Sequence, residues 1–435
     1  MKRLHKKTGF RRFQKRYPLR FRVVQSLFYS VTLQGMMLPV VAKTYYEIPV
    51  YAGLLNLIVV PGMTVVVAGS WFGLLVSIGT ISLGRFVMLP VGWMLQGYTW
   101  LCERTLELPW NTLVTGEIRG WQSGMWYGGI ACTLVLLRTK TRNKLRDFVY
   151  KHTGRFWRKR EVVRYTVCTI LISMLLQGAG QALCVWQQRT EAIYFLDVGQ
   201  GDGILIRSPD GRNIVIDGGS TSQSKCGTYT LLPALRSQGM TEIDCWFVTH
   251  TDEDHISGLK ELLLQGKLTQ IKVRTVVFSA YVFQDAALAE LEAVIRAAGI
   301  TIVWMREGDV IGDDTFTLTC LHPTAEYRAK DKNAASLALA YHSDTFDMLF
   351  TGDMDADAVA DMDIQQDYDC IKLPHHGSKY SYVEGVYAHA DYGLISCGYN
   401  NRYGHPHTEV LQGLAQEGTK VLRTDEMGAV VFRGR

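Results

Sequence analysis

The string His250-Thr-Asp-Glu-Asp-His255 constrains this 435-residue chain more than any other feature, because it places four potential metal ligands within six residues. It follows the apolar run 245–249, which is typical of a buried strand. Side chains at a strand-to-helix turn can converge on one point, so His250 and Asp252 can share one ion while Asp254 and His255 hold another. Carboxylates at this density repel one another unless a cation lies between them. The string therefore predicts a centre for two divalent metal ions.

Two further strand ends supply the remaining ligands. The apolar run 348–350 leads to Asp353, whose carboxylate suits a bridging position between two ions. The run 369–373 leads to His375 and His376. One of these histidines completes the coordination of one ion, and the sequence leaves open which. Paired ions of this kind lower the pKa of a bound water, so the pattern predicts a hydrolase.

From about Glu191 onward, short alternating strands are separated by turn residues. The segments 193–196, 204–206 and 213–216 lie between Gly- and Asp-containing turns, a pattern typical of β-hairpins. We therefore predict one hydrolase domain over residues 191–435. The nine cysteines include no C-x-x-C pair, so neither a zinc ribbon nor a disulfide scaffold is expected.

The amino-terminal part has a different composition, with only four basic and four acidic residues between positions 23 and 137. A helix that crosses a bilayer needs about 20 mostly apolar residues, so we predict a polytopic α-helical membrane domain over residues 23–184. Pro61 and Pro90 interrupt apolar runs and suggest broken helices that line a cavity. The five predicted spans are residues 28–45, 51–69, 71–101, 119–137 and 163–184.

Two basic clusters predict the orientation of these spans. Residues 1–22 carry ten Lys and Arg residues and no carboxylate, and residues 138–164 carry eleven with two carboxylates. Loops rich in Lys and Arg remain in the cytoplasm, so we expect a cytoplasmic amino terminus and a cytoplasmic loop at 138–164, with four crossings between them. The crossing at 163–184 then places the hydrolase domain outside the cytoplasm. The expected location is the plasma membrane, as a multi-pass protein.

Several strings resemble the metallo-β-lactamase domain of the ComEC family, the DNA-uptake channel of natural transformation. They are residues 197–202, 217–219, 250–255, 351–353 and 375–378, and the apolar half resembles the late part of that family's competence membrane domain around residues 53–61. The resemblance implies an αββα metallo-β-lactamase fold, two divalent ions and nuclease action on the non-transported DNA strand. The implied partners are DNA, the lipid bilayer and other competence proteins.

The resemblance also assigns roles around the metal ligands. Asn333, Ser378 and His405 would position the phosphate or the leaving group. Lys372 and Lys379 either neutralise phosphate charge or remain solvated. The predicted metal ligands are His250, Asp252, Asp254, His255, Asp353 and His375 or His376, and the predicted catalytic residues are Asp254, Asp353, Asn333, Ser378 and His405.

The chain departs from the general superfamily pattern in three ways. Asp252 stands where that pattern has a histidine, which makes the site harder, so Mn²⁺ or Mg²⁺ suits it as well as Zn²⁺. The usual third-motif histidine has no obvious counterpart, and Asn333 and His322 are the alternatives for its place. Relative to the family the chain begins late, so we expect a shortened paralogue or a fragment of a disrupted gene, with a separately encoded membrane half as a partner.

The charge of the hydrolase half argues against a DNA substrate. Residues 165–435 hold 21 basic and 35 acidic residues, a net charge of −14, whereas nucleic-acid binders usually carry a basic surface. Three functions remain open: a nuclease that acts on DNA at the outer face, a hydrolase of other phosphoesters such as choline-phosphate or cell-wall esters, and an inactive remnant. We favour phosphodiester cleavage, because carboxylate-rich paired sites suit phosphoesters.

Overall fold

The computed structural model describes residues 18–137 and 190–434, apart from residues 363 and 365. The chain divides into two compact units, Met1–Leu183 and Cys184–Arg435, which are described here one at a time. The predicted span 163–184, the predicted loop 138–164 and most of the basic amino terminus lie outside the described residues.

Four helices and a two-stranded ribbon form the described part of the first unit. They are α1 (Pro18–Tyr45), β1 (Glu47–Pro49), α2 (Ala52–Gly79), α3 (Ile81–Leu106), β2 (Thr112–Val114) and α4 (Gly120–Leu137). Within this described part, α2 is the one helix whose length and composition suffice to cross a membrane, with a mean hydropathy of 2.0 over 18 residues.

Helices α2 and α3 form a closely packed antiparallel hairpin. A Cβ at Gly73 would lie 2.6 Å from the sulfur of Met88, and one at Gly84 would lie 2.6 Å from the hydroxyl of Ser77. Only glycine allows the two backbones to approach this closely. The hairpin turns at Thr80, whose backbone is extended with φ −149° and ψ 127°.

Two expectations for this region are wrong. The predicted boundary between the spans 51–69 and 71–101 falls inside a continuous helix, because α2 runs through Ser70 and ends at Gly79. The predicted breaks at Pro61 and Pro90 are absent from this described region, since both prolines lie inside helices, in α2 and α3 respectively. A proline removes a single N–H donor and does not by itself end a helix whose remaining ladder is intact.

Two seven-stranded sheets form the second unit. In chain order the strands are β3 (Ala192–Phe195), β4 (Gly203–Arg207), β5 (Asn213–Asp217), β6 (Glu242–Phe247), β7 (Lys272–Ser279), β8 (Thr301–Met305), β9 (Val310–Gly312), β10 (Phe316–His322), β11 (Ala338–Ser343), β12 (Asp347–Phe350), β13 (Tyr368–Lys372), β14 (Ala390–Ile395), β15 (Lys420–Arg423) and β16 (Val430–Arg433). The first sheet has the order β16-β3-β4-β5-β6-β7-β8, and the second has the order β15-β14-β13-β12-β11-β10-β9.

Helices cover the outer faces of both sheets. They are α5 (Leu232–Ser237), α6 (Glu253–Gln265), α7 (Ala286–Ala297), α8 (Ala356–Asp361), α9 (Thr408–Glu417) and α10 (Thr424–Met427). Leu259 of α6 packs onto the first sheet, and Leu414 of α9 packs onto the second. Phe195 and Phe350 meet between the sheets, with ring centroids 6.0 Å apart. The layer order is α, β, β, α, which confirms the predicted metallo-β-lactamase fold of this domain.

The parallel strands of the two sheets end at the same side of the domain. Strands β5 to β8 run parallel in the first sheet, and β12 to β15 run parallel in the second. The segments after β5, β6, β12, β13 and β14 meet there. The Ser396 hydroxyl, just after β14, donates to the carbonyl of Gly201 in the first half of the domain at 2.8 Å. Polar residues that follow these strands are therefore brought together from distant parts of the sequence.

Candidate metal centre

Four potential ligands converge at this edge from three segments. Asp254 and His255 lie in the first turn of α6, Asp353 follows β12, and His376 follows β13. One ligand atom from each of the four lies within 4.8 Å of the others. Nε2 of His376 lies 3.2 Å from Asp353 Oδ2 and 3.4 Å from Asp254 Oδ2, while Nε2 of His255 lies 3.3 Å from Asp353 Oδ2. We call these residues the four-ligand group.

Two histidines of the four-ligand group are oriented by partners behind them. Nδ1 of His255 lies 2.8 Å from Asp217 Oδ2, and Nδ1 of His376 lies 2.8 Å from the carbonyl of Ser396. These acceptors hold the ring hydrogen on Nδ1 and leave the Nε2 lone pairs facing Asp353. Both Nε2 atoms are buried and have no hydrogen-bond partner among the described residues. Buried unpaired ring nitrogens next to two carboxylates fit a divalent metal ion.

The carboxylate of Asp217 is itself fixed. The backbone N–H and the hydroxyl of Thr249 both donate to it at 2.8 Å. Asp217 ends β5 and Thr249 follows β6, so neighbouring parallel strands hold the acceptor in place. Asp217 therefore orients His255 rather than joining the four-ligand group.

The turn that carries Asp254 and His255 sits directly on a glycine-rich loop. The backbone N–H of Asp202 donates to the carbonyl of Asp254 at 3.0 Å. A Cβ at Gly219 would lie 2.4 Å from the carbonyl carbon of Asp254, and one at Gly201 would lie 2.5 Å from its oxygen. Glycine at these two positions is what allows the start of α6 to reach the site.

A buried lysine lies beneath the four-ligand group. Lys372 is 1 % exposed; its ammonium contacts the carboxylate of Asp202, donates to the carbonyl of Gly352 at 2.9 Å and lies 3.7 Å from Asp353 Oδ1. Burial opposes its charge, but the carboxylates of Asp202 and Asp353 raise the pKa of Lys372. Lys372 neutralises protein carboxylates and is too deeply buried to meet a substrate phosphate or to be solvated, so both predicted alternatives are wrong for this residue.

The carboxylates and imidazoles of the four-ligand group shift each other's pKa values. Burial favours neutral forms, yet the charge of Asp353 raises the pKa of His376 to about 10 and raises that of His255 well above its usual value. Burial also raises the pKa of Asp353, but His376 and His255 hold it well below its ordinary range. These shifts favour a proton at the Nε2 atoms that a metal ion would occupy, so protons compete with the ion for these atoms.

His250 and Asp252 form a separate pair. Nε2 of His250 lies 3.5 Å from Asp252 Oδ2, and the other oxygen of Asp252 contacts the ammonium of Lys332. Burial raises the pKa of Asp252, but His250 and Lys332 outweigh it and lower that pKa to about 2. In the described part of the chain, no group of three or more ligands includes His250 or Asp252.

The remaining predicted residues occupy different positions around the centre. His375 and His405 line a cavity of about 310 Å³ in front of Asp353, with Tyr403 at its rim. Burial lowers the pKa of both histidines, that of His405 to about 4, so their rings are neutral. Asn333 is half-buried, and its side-chain oxygen has no partner in the described structure.

Three predicted residues lie away from this cavity. The hydroxyl of Ser378 is buried and accepts the backbone N–H of Tyr380 at 3.3 Å. Lys379 is exposed and pairs with Glu409 at 3.3 Å. His322, the alternative for the third motif, is buried and contacts the carbonyl of Ser336 through Nδ1 at 3.1 Å, outside every ligand group of the described residues.

Five residues that matter to the site were absent from the predicted set: Asp202, Asp217, Thr249, Lys332 and Ser396. Asp202 ends one of the strings on which the family resemblance rests and Asp217 begins another, so the sequence did mark both residues. The contact of Lys332 with Asp252 joins two segments far apart in the sequence, and no local pattern indicates it.

Comparison with protein families divides the chain in the same way. Residues 6–140 match the family described as Competence protein, and residues 196–325 match the Metallo-beta-lactamase superfamily. The chain has a ComEC-like architecture. This ComEC-like chain is 32 % identical over 256 residues to ComE operon protein 3 of Bacillus subtilis, covering 55 % of this chain and 32 % of that protein.

A second relative is Competence protein ComA of Neisseria gonorrhoeae, 26 % identical over 289 residues, with 61 % of this ComEC-like chain and 38 % of that protein covered. The chain thus spans about a third of the length of the curated relatives it matches. Among solved structures it is similar to the metallo-beta-lactamase fold protein YhfI of Bacillus subtilis, with a TM-score of 0.38, 13 % identity, and 56 % of this chain and 100 % of that chain covered. Zn²⁺-bound PqqB of Methylobacterium extorquens gives a TM-score of 0.37 at 9 % identity, covering 55 % of this chain and 99 % of that chain.

Proposed function

We propose that this chain is a membrane-anchored, metal-dependent hydrolase that cleaves DNA phosphodiester bonds outside the cytoplasm during DNA uptake. The observation that carries the proposal is the four-ligand group of Asp254, His255, Asp353 and His376. It stands in a metallo-β-lactamase domain that follows a competence-protein domain in the same chain, and competence is the context in which DNA is the available substrate.

Different residues of the site have different proposed roles in hydrolysis. The four-ligand group would hold an ion, and a bound divalent ion lowers the pKa of water and polarises a phosphoryl oxygen. The neutral rings of His375 and His405 line the cavity beside Asp353, and the N–H of each ring can donate to an oxygen of a bound phosphate group. Asn333 remains a proposed positioning residue, because its side-chain oxygen is buried and unpaired in the described part of the chain.

The ligand chemistry favours a hard or borderline metal ion. Two carboxylates and two imidazoles suit Mn²⁺ or Zn²⁺. The sequence predicts two ions, and the four-ligand group accommodates one of them. The same sequence pattern assigns His250 and Asp252 to the other.

We also propose that the first unit is polytopic. Four helices of 18 to 28 residues precede the basic segment 138–164, and the apolar segment 163–184 follows it. With both basic clusters in the cytoplasm, the hydrolase domain lies outside.

The acidic character of the second half supports one alternative substrate class. A net charge of −14 over residues 165–435 repels a polyanion, whereas a small phosphoester meets mainly the local field of the centre. The second candidate is therefore a hydrolase of choline-phosphate or cell-wall phosphoesters.

Both candidates are separated by assaying the purified full chain with Mn²⁺ against single-stranded DNA, duplex DNA and a chromogenic phosphodiester, with Asp353→Ala as the matched inactive variant. We expect DNA cleavage that stops on chelation and is absent in Asp353→Ala. Cleavage of the chromogenic ester alone would favour the second candidate. Turnover of none of the three would refute the hydrolase.

A further inference from the structure

We propose that this chain binds one metal ion, at the four-ligand group, and that the ammonium of Lys332, held on Asp252, supplies the positive charge expected from a second ion. The inference rests on the metal-binding part of the proposed function. It concerns the number of ions and the role of Lys332, which neither the family resemblance nor the fold assigns.

The first argument is a shortage of ligands. A zinc site in a protein takes three or four protein ligands. Asp254, His255, Asp353 and His376 meet this condition together, whereas His250 and Asp252 have each other at 3.5 Å and join no larger group in the described parts of the chain. The third-motif position supplies no histidine, because His322 is buried elsewhere against Ser336 and Asn333 offers only an uncharged amide oxygen.

The second argument is the position of Lys332. Its ammonium contacts one oxygen of Asp252 and lies 3.8 Å from Asp285 Oδ2. Asp285 is fixed in turn, because it accepts the backbone N–H of Leu288 at 2.8 Å as the cap of α7 and lies 3.2 Å from the hydroxyl of Thr251. Two anchored carboxylates therefore hold the lysine. The ammonium of Lys332 therefore already occupies the Asp252 carboxylate that a second ion would need as a ligand.

The third argument is the orientation of the histidine rings. His255 and His376 each face an acceptor through Nδ1, which reserves Nε2 for a metal ion. Nδ1 of His250 instead faces two hydroxyls, Thr249 Oγ1 at 3.1 Å and Ser336 Oγ at 3.4 Å. The Thr249 hydroxyl donates to Asp217. The Ser336 hydroxyl accepts the backbone N–H of Asp353 and keeps its own hydrogen for Nδ1 of His250. With Nδ1 as an acceptor, His250 keeps its hydrogen on Nε2 and donates towards Asp252. The ring is not committed to metal binding as the other two are.

Lys332 then has a defined consequence for the reaction. Asp252 lines the cavity beside Asp254 and Asp353, so the lysine places a fixed positive charge next to the bound ion. A preorganised charge at this position stabilises the negative charge that develops on a phosphoryl group. Lys332 does not touch the substrate; it is a positioning residue that is held next to the centre by Asp252. Its ammonium is a point charge and does not impose the coordination geometry that a metal ion would impose.

The direct test counts metal ions in the purified full chain, with no variant required. The protein is saturated with Mn²⁺, freed of unbound metal by gel filtration, and measured by plasma mass spectrometry and electron paramagnetic resonance. We expect one Mn²⁺ per chain and the six-line spectrum of an isolated ion. Two ions per chain with an exchange-coupled spectrum would overturn the inference but leave the proposed hydrolase intact. A chain that binds no Mn²⁺ would refute both.

The second test removes the charge with Lys332→Met, using Lys330→Met as the matched control. Lys330 pairs with Asp355 and Asp357 on the exposed surface and makes no contact with the centre. We expect Lys332→Met to keep one tightly bound Mn²⁺ and to lose roughly 100-fold in turnover, the loss typical when one preorganised donor is removed. Excess Mn²⁺ should restore part of this loss, because Asp252 is then free for a weakly bound ion. Equal turnover of the two variants would overturn the inference.

Discussion

At the scale of single residues, Asp353 is the side chain on which the metal centre depends most. Both buried Nε2 atoms of the four-ligand group lie within 3.3 Å of its Oδ2, and Lys372 lies on the side of its Oδ1. Its backbone N–H donates to the hydroxyl of Ser336 at 3.2 Å. This carboxylate therefore lies between the two proposed histidine ligands and a buried cation that balances its charge.

We predict that Asp353→Ala loses both bound metal and turnover, because two histidines then face each other without the carboxylate that balances their charge. Metal content and phosphodiester hydrolysis are measured on the purified chain. Asp347→Ala is the control, since Asp347 starts the same strand but pairs with exposed His342. Retention of the ion in Asp353→Ala would show that the carboxylate is not a ligand.

The buried pair of Lys372 and Asp202 gives a prediction for stability. Lys372→Met leaves Asp202 buried without its cation, and such a loss typically costs about 3–5 kcal/mol in the free energy of unfolding. We expect a lower midpoint in chemical unfolding of the full chain. Adding Asp202→Asn to Lys372→Met should recover part of that loss. If the double variant is as unstable as the sum of the single variants, the two residues do not act as a pair.

At the scale of elements, the start of α6 and the loop around Gly219 form one assembly. The backbone of Gly219 touches the backbone of Asp254, and the N–H of Gly258 donates to the carbonyl of Gly218 at 2.8 Å. The helix begins with two acidic residues, Glu253 and Asp254, which its dipole stabilises. The loop around Gly219 thus fixes the position of the first turn of α6, which carries Asp254 and His255.

We predict that Gly219→Ala displaces the first turn of α6, because a Cβ at this position would lie 2.4–2.5 Å from three backbone atoms that cannot rotate away. Metal affinity should fall by at least tenfold, with a stability loss of roughly 1–3 kcal/mol from overpacking. Gly434→Ala is the control, because its nearest contact is an ordinary 3.4 Å. Unchanged Mn²⁺ binding in Gly219→Ala would contradict the proposed coupling.

Local patterns predicted most of the second unit correctly. Short apolar runs between turn residues mark β3, β4 and β5, but the expected alternation is absent because both faces of these strands are buried. The ligands that follow β6 and β12 were found because each set comes directly after an apolar strand run. The choice between His375 and His376 could not be made in this way, since both residues have left-handed backbones, with φ of 49° and 57°, that alternation does not describe.

Features that depend on distant contacts were not predictable. The turn at Thr80 depends on the packing of α2 on α3, in which Gly73 and Gly84 set the spacing. The sequence is equally apolar before and after Thr80, so it does not mark where one helix ends and the next begins. The ion pair of Lys332 with Asp252 is set by the path of a loop. Hydrophobic periodicity carries no information about either.

At the scale of the whole molecule, the proposed orientation is open to a direct test. We predict that a reporter that requires export is active when fused after Arg435, and that a cytoplasmic reporter is active when fused after Arg146. The physical reason is the retention of Lys- and Arg-rich segments in the cytoplasm. Each fusion is paired with the opposite reporter at the same site. The reverse pattern of activities would place the hydrolase domain inside the cell and contradict its action on incoming DNA.

The ribbon of β1 and β2 has a consequence for the order of assembly. Glu47 pairs with Val114, and the hydroxyl of Tyr51 donates to the carbonyl of Pro109 at 2.8 Å, so α2 and α3 lie wholly within the loop that these contacts close. During synthesis at about 5–20 residues per second, the first strand waits on the order of several seconds for its partner. Closure can follow only after the hairpin of α2 and α3 has emerged. The ribbon is therefore among the last contacts of this unit to form, and it joins chain segments on either side of a helix pair that has already been synthesised.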